Sequence, residues 1–257
     1  MGRGRDPAGV PLARTGYDNG SSKDAQRTPE RNAMQAWIDT MGTDLGALTA
    51  SAALVAIYYL LLWRRARRDP HHTIHGVNET ARTRWVEHVM ANPSRDVMAV
   101  QTLRNFTMAA TFMASSAALL ILGTLTLTGQ GETLARTWHA ANIGGSDAAQ
   151  TWVVKIMCLL TIFIVAFFSF AMTIRLLNHV VFMINVPDAA AQPGLGPRHV
   201  AHRLVRAGHF YSVGMRAFFF AIPLAFWLFG PLYLVVATLG LLVVLHFIER
   251  SPDLGRG

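Results

Sequence analysis

Residues 101–127 read QTLRNFTMAATFMASSAALLILGTLTL, and this stretch decides the fold. The opening QTLRN carries amides, a hydroxyl and a guanidinium, whereas the 22 residues from Phe106 to Leu127 carry no charge. At 1.5 Å per residue a helix of that length reaches about 33 Å, the thickness of a bilayer's hydrocarbon core. Within it Ala110, Ala114 and Ala118 recur every fourth residue, a small-residue stripe that lets helices approach closely in lipid. Upstream, Asn92-Pro93 predicts a helix start, with Asn92 as cap and Pro93 in the first turn.

Three further uncharged or nearly uncharged runs repeat the pattern. Residues 45–63, LGALTASAALVAIYYLLLW, end in Tyr58, Tyr59 and Trp63 as interface anchors and stop at Arg64-Arg65. Residues 152–174 contain Lys155, expected to snorkel back to the interface, and their helix is expected to continue until Pro187. Residues 217–245 would reach about 43 Å as one helix, more than the core thickness. Tilt or kinks at Pro223 and Gly230-Pro231 are expected to absorb the excess. The fold class predicted is therefore all-α: a four-span transmembrane helical bundle.

Composition agrees. Of 257 residues 52% are apolar and 15% charged, against about 25% charged in soluble domains. The single cysteine, Cys158, excludes an intramolecular disulfide and a self-contained cysteine metal site. Residues 1–40 lack apolar periodicity and the apolar centre of a signal peptide, so they read as a disordered tail, with Met34 or Met41 as alternative starts. Residues 41–250 form the membrane domain and 251–257 a short C-terminal tail.

The net charge of +8 comes largely from arginines in loops beside the apolar runs, an orientation signal rather than a nucleic-acid footprint. Arg64, Arg65, Arg67, Arg68, Arg82, Arg84 and Arg95 lie between the first two runs, and Arg198, Arg203 and Arg206 between the last two. Only Arg136 lies between the middle pair. The first and third loops are thus expected in the cytoplasm and both termini outside it. In the first loop Val77, Ala81, Trp85 and Val89 recur every fourth residue. They predict a short amphipathic helix, either lying on the inner surface or packed on the other cytoplasmic loop.

Arg104 and Asn105 enter the second run from the inside, Arg175, Asn178 and His179 leave the third into it, and Arg216 begins the fourth. Guanidinium groups with amide and imidazole partners suit a phosphate or carboxylate. These six residues are the candidate site for an anionic lipid headgroup or small anion. The competing account is arginines snorkelling to headgroups while Asn105 and Asn178 bond between helices. The spacings His71-His72-x-x-His75 and His199-x-x-His202 are too weak to predict a metal, and no cofactor is predicted. Catalysis finds no nucleophile–base pair. Asp44, Asp96 and Glu249 stand at run ends, where helix-dipole pairing or solvation accounts for them.

The segments VQTLRNFTMAATFMASSAALLILG (100–123), FFSFAMTIRLLNHVVFMI (167–184) and HFYSVGMRAFFFAIPLAFWLFGP (209–231) resemble the domain-of-unknown-function-599 family of membrane proteins. The resemblance covers about residues 42–250. It implies a four-span protein, mostly of bacterial inner membranes, and supplies no activity.

The function expected is non-enzymatic: an accessory or structural membrane protein engaging anionic lipid or a partner at the cytoplasmic face. Membrane lipid, a second copy or another membrane protein are the expected partners, and nucleic acid is not. The alternative is a small oligomeric channel or transporter.

Overall fold

The computed structural model describes residues 42–64, 74–129, 149–186, 192 and 194–249. The two tails, the Arg65–Arg68 run, His71, His72 and Arg136 lie outside these. Six α-helices and no strand occur among the described residues: α1 Gly42–Arg64, α2 Ile74–Met90, α3 Asp96–Gly129, α4 Ala149–Ile184, α5 Pro197–Trp227 and α6 Pro231–Glu249. Four of them, α1, α3, α4 and α5, are long and apolar enough to cross a membrane; α6 is apolar but shorter.

The helix ends follow from local chemistry. Asn92 closes α2 rather than capping α3, because its side-chain amide donates to the His88 carbonyl at 2.7 Å. A single 3-10 turn, Pro93–Arg95, then leads into α3, whose first residue Asp96 faces the positive end of the helix dipole. The threonine hydroxyls and that of Ser116 inside the apolar stretch of α3 are satisfied one turn back. Thr107 donates to the Leu103 carbonyl at 2.9 Å and Ser116 to that of Phe112 at 3.0 Å. Helix α4 runs as far as Ile184, close to the expected stop.

The last apolar run departs from the expectation. It is two helices, not one: α5 passes through Pro223 unbroken and ends at Trp227, and α6 begins at Pro231. Between them the Gly230 amide bonds the Trp227 carbonyl, and Gly230 takes φ 143°, a conformation that glycine tolerates and side chains do not. Pro231 has no amide to donate and fits the first position of the new helix. Helix α6 packs back on α5 and buries one face over most of its length through Leu234, Thr238, Leu241 and Leu245. At its other end α5 reaches back to Pro197, so most of what reads as the third loop is helix.

Three apolar clusters stack along the bundle and fix the helix directions. At one end Ala99 and Leu103 of α3, Leu177 and Val180 of α4, and Val200 and Leu204 of α5 pack together, with Val86 and Val89 of α2 beneath them. In the middle Ala114 and Ala117 meet Phe170 and Ala217. At the far end Ile156 and Phe163 meet Ala221 and Leu228. Helix α4 therefore runs antiparallel to both α3 and α5. Of the alanine stripe, Ala110 and Ala114 are buried as expected, and Ala117 takes the next place. Phe170 lies so close to Gly214 that a Cβ there would come within 2.7 Å of its ring. The outer faces are apolar: Phe112 is 72% exposed, Leu119 69% and Phe168 62%. Such a surface is disfavoured in water and matched to lipid.

Helix α2 occupies the stretch that the fourfold repeat pointed to, but it is docked on α5. Val86 and Val89 are its buried positions, with Trp85 half-buried, while Val77 and Ala81 are exposed.

Candidate functional site

The end of the bundle that holds α2 gathers the arginines. The start of α3, the end of α4 and the start of α5 surround the Leu103–Leu177–Val200 core there, and Arg84, Arg95, Arg104, Arg175, Arg198, Arg203 and Arg206 are all exposed around it.

Five of the six candidate residues share this end. Arg104 and Asn105 follow the buried Leu103, and Arg175, Asn178 and His179 flank the buried Leu177 that packs with it. All five side chains are exposed, because the intervening positions fill the core. No hydrogen bond or ion pair joins any two of the six among the described residues. They form a layer around the bundle rather than a pocket within it. Arg104 also lines a shallow groove of about 350 Å³ with Asp96, Gln101 and Asn185, between the start of α3 and the end of α4.

Arg216 is not in that layer. The buried Thr173 hydroxyl donates to the Ala207 carbonyl at 3.3 Å, which aligns Ala207 with the end of the apolar part of α4. Arg216 lies nine residues further along α5, about 13 Å deeper at 1.5 Å per residue. It is half-buried there, its guanidinium 5.2 Å from the centroid of the Tyr59 ring on α1.

Two arrangements lie outside the sequence-based candidates. The first is at the opposite end of the bundle. Asp44 of α1 accepts an ion pair from Lys155 of α4 at 3.0 Å and a hydrogen bond from the Trp227 indole of α5 at 2.8 Å. Asp44 is 2% exposed and Lys155 3%. Lys155 thus turns inward, its ammonium 5.5 Å from the Trp227 ring, instead of snorkelling outward, and Asp44 is not solvated. The sequence held one signal: both charges sit at the same end of their runs once α1 and α4 point the same way.

The second is Arg82 of α2. Its guanidinium reaches between helices, over the Phe106 ring of α3 at 5.9 Å and against Gly208 of α5, where any Cβ would collide with it. Burial pushes Arg82 below its ordinary pKa, and the carboxylate of Glu79, three residues earlier, pulls it partly back. Arg82 adds a polar contact between α2 and the bundle beside the buried Val86 and Val89.

His199 and His202 are exposed on α5. Only the backbone of His75 is described. Among the described residues no three His, Cys, Asp or Glu side chains are grouped as a metal would need.

The model of the family described as "Protein of unknown function, DUF599" matches residues 47–253, and the chain belongs to that family. Among curated proteins and among solved structures nothing matches it.

Proposed function

We propose that this is a multi-pass protein of the bacterial inner membrane, without enzymatic activity, whose basic end engages anionic lipid or a partner protein at the cytoplasmic face. One observation carries the reading: exposed arginines from α2, α3, α4 and α5 ring a single end of the bundle. Cationic layers of this kind attract anionic headgroups at about 1 kcal/mol per residue near the surface. The positive-inside rule turns that end to the cytoplasm and places the start of α1 outside. A single span over residues 217–245 would leave both termini outside. The packing of a separate helix α6 on α5 supports an inner rather than an outer end of the described chain within this reading.

The test is lipid analysis of the full chain purified in mild detergent. Replacing Arg104 and Arg175 together by Gln should at least halve, roughly, the copurifying anionic lipid, since two of the attractive charges are gone. Unchanged lipid with only lowered stability would leave these arginines as ordinary helix ends. The same preparation, searched for a stable copurifying protein, tests the partner arm.

A second reading, a small oligomeric channel or transporter, is favoured by a different observation. Asp44, Lys155 and Arg216 are charged side chains on the α1 side of the bundle, the first two at one end and Arg216 further along, on helices long and apolar enough to cross a membrane. Charges so placed often mark ion or proton paths. Ion or proton flux into proteoliposomes that is lost in Asp44→Asn would favour this reading. A wild-type protein without flux would remove it.

A further inference from the structure

We propose that the groove between α2 and α5 binds the headgroup of an amine-bearing phospholipid, its phosphate on Arg206 and its ammonium on Glu79. The proposal relies on the reading above only for placing this end of the bundle at a membrane surface.

The groove has a volume of about 310 Å³. Glu79, His202, Arg206 and His209 supply its polar lining, and Val205, Phe210 and Val213 its apolar lining. Along α5 the two ends of the groove differ, His202 at one and Val213 at the other, with the apolar Val205 and the polar His209 between them. Ala207 is level with the end of the apolar part of α4 through the Thr173 hydrogen bond. His202 and Arg206 therefore stand on the polar side of that level, and Phe210 and Val213 on the apolar side. From His202 to Val213 the helix rises about 16 Å, enough for a headgroup, its glycerol and the first acyl carbons.

Charge selects the headgroup. Glu79 and Arg206 line the same groove, yet no ion pair joins them. Arg206 is steered by the Phe210 ring, 5.8 Å from its guanidinium. Arg82, three residues on along α2, feels the Glu79 charge, but its guanidinium lies over Phe106 and against Gly208 and makes no ion pair with Glu79. A separated guanidinium and carboxylate complement a zwitterion. The guanidinium takes a phosphate bidentately, and the carboxylate accepts hydrogen bonds from a primary ammonium. A headgroup with phosphate alone leaves Glu79 facing an anion, which costs affinity. A quaternary ammonium brings the charge but no N–H to donate.

The full chain in detergent, offered phosphatidylethanolamine, phosphatidylcholine or phosphatidylglycerol and read by native mass spectrometry, tests this. Wild type should retain phosphatidylethanolamine roughly tenfold better than either alternative, the worth of one charge-assisted hydrogen bond pair. Glu79→Gln should erase the preference, Arg206→Gln should lower retention of all three, and the Arg104→Gln, Arg175→Gln pair should leave the preference intact. Both Glu79 and Arg206 are exposed, so neither variant threatens the fold. Equal retention by wild type, or a preference that survives Glu79→Gln, overturns the proposal. Displacement of the lipid by inorganic phosphate would overturn it too, in favour of a free-phosphate site. A loss of anionic lipid in the Arg104, Arg175 pair is a separate outcome and bears only on the broader reading.

Discussion

Asp44 and Lys155 show what a charge does when an apolar bundle leaves it no water. Each is buried, and each is tolerable only because the other, with the Trp227 indole, is within bonding distance. Removing one partner strands the other. Lys155→Met should lower stability in detergent by about 3 kcal/mol, the cost of an uncompensated buried charge. Adding Asp44→Asn to it should recover most of that loss. Thermal unfolding of the two variants checks this; equal loss in both would mean that the pair is not energetically coupled. The one sequence signal for the pair was their shared position at the same end of parallel runs; they are far apart in sequence, and that they meet across the bundle was not legible. Arg216 was misplaced for a related reason. Its depth depends on where α5 begins, and α5 begins at Pro197, well before the last apolar run.

At the scale of the helix, glycines mark where backbones and side chains come closest. Gly214 faces the buried Phe170 ring, which is itself packed against Tyr211 and Phe218 and has nowhere to go. Gly208 faces the end of the Arg82 side chain, which can swing aside. Gly214→Ala should therefore cost about 1–3 kcal/mol by overpacking, and Gly208→Ala clearly less. Denaturation of both variants in the same detergent tests the order, and a reversed order would contradict the packing described. The apolar runs that became α1, α3 and α4 were readable because length and lack of charge are properties of one segment alone. The break at 228–230 was readable only as a weak point. Gly230-Pro231 permits a kink or a full reversal, and the choice falls to the face of α6 that finds cover on α5. The α2 repeat likewise announced a helix but not its buried side, because Val86 and Val89 find their cover on α3, α4 and α5, which the repeat alone does not show.

For the whole molecule, the two ends differ in kind. One holds a buried, neutralised charge pair; the other exposes unneutralised arginines around an apolar core. That asymmetry is the central claim, because an inner-leaflet lipid surface and both proposed contacts depend on it. It is tested by single cysteines at Ser94 and Gln192, exposed positions at the basic end, introduced with Cys158→Ser. A membrane-impermeant maleimide should leave both unlabelled in intact cells or spheroplasts and label both in inverted vesicles. Labelling of either position from outside would place the basic end on the wrong face and contradict the account.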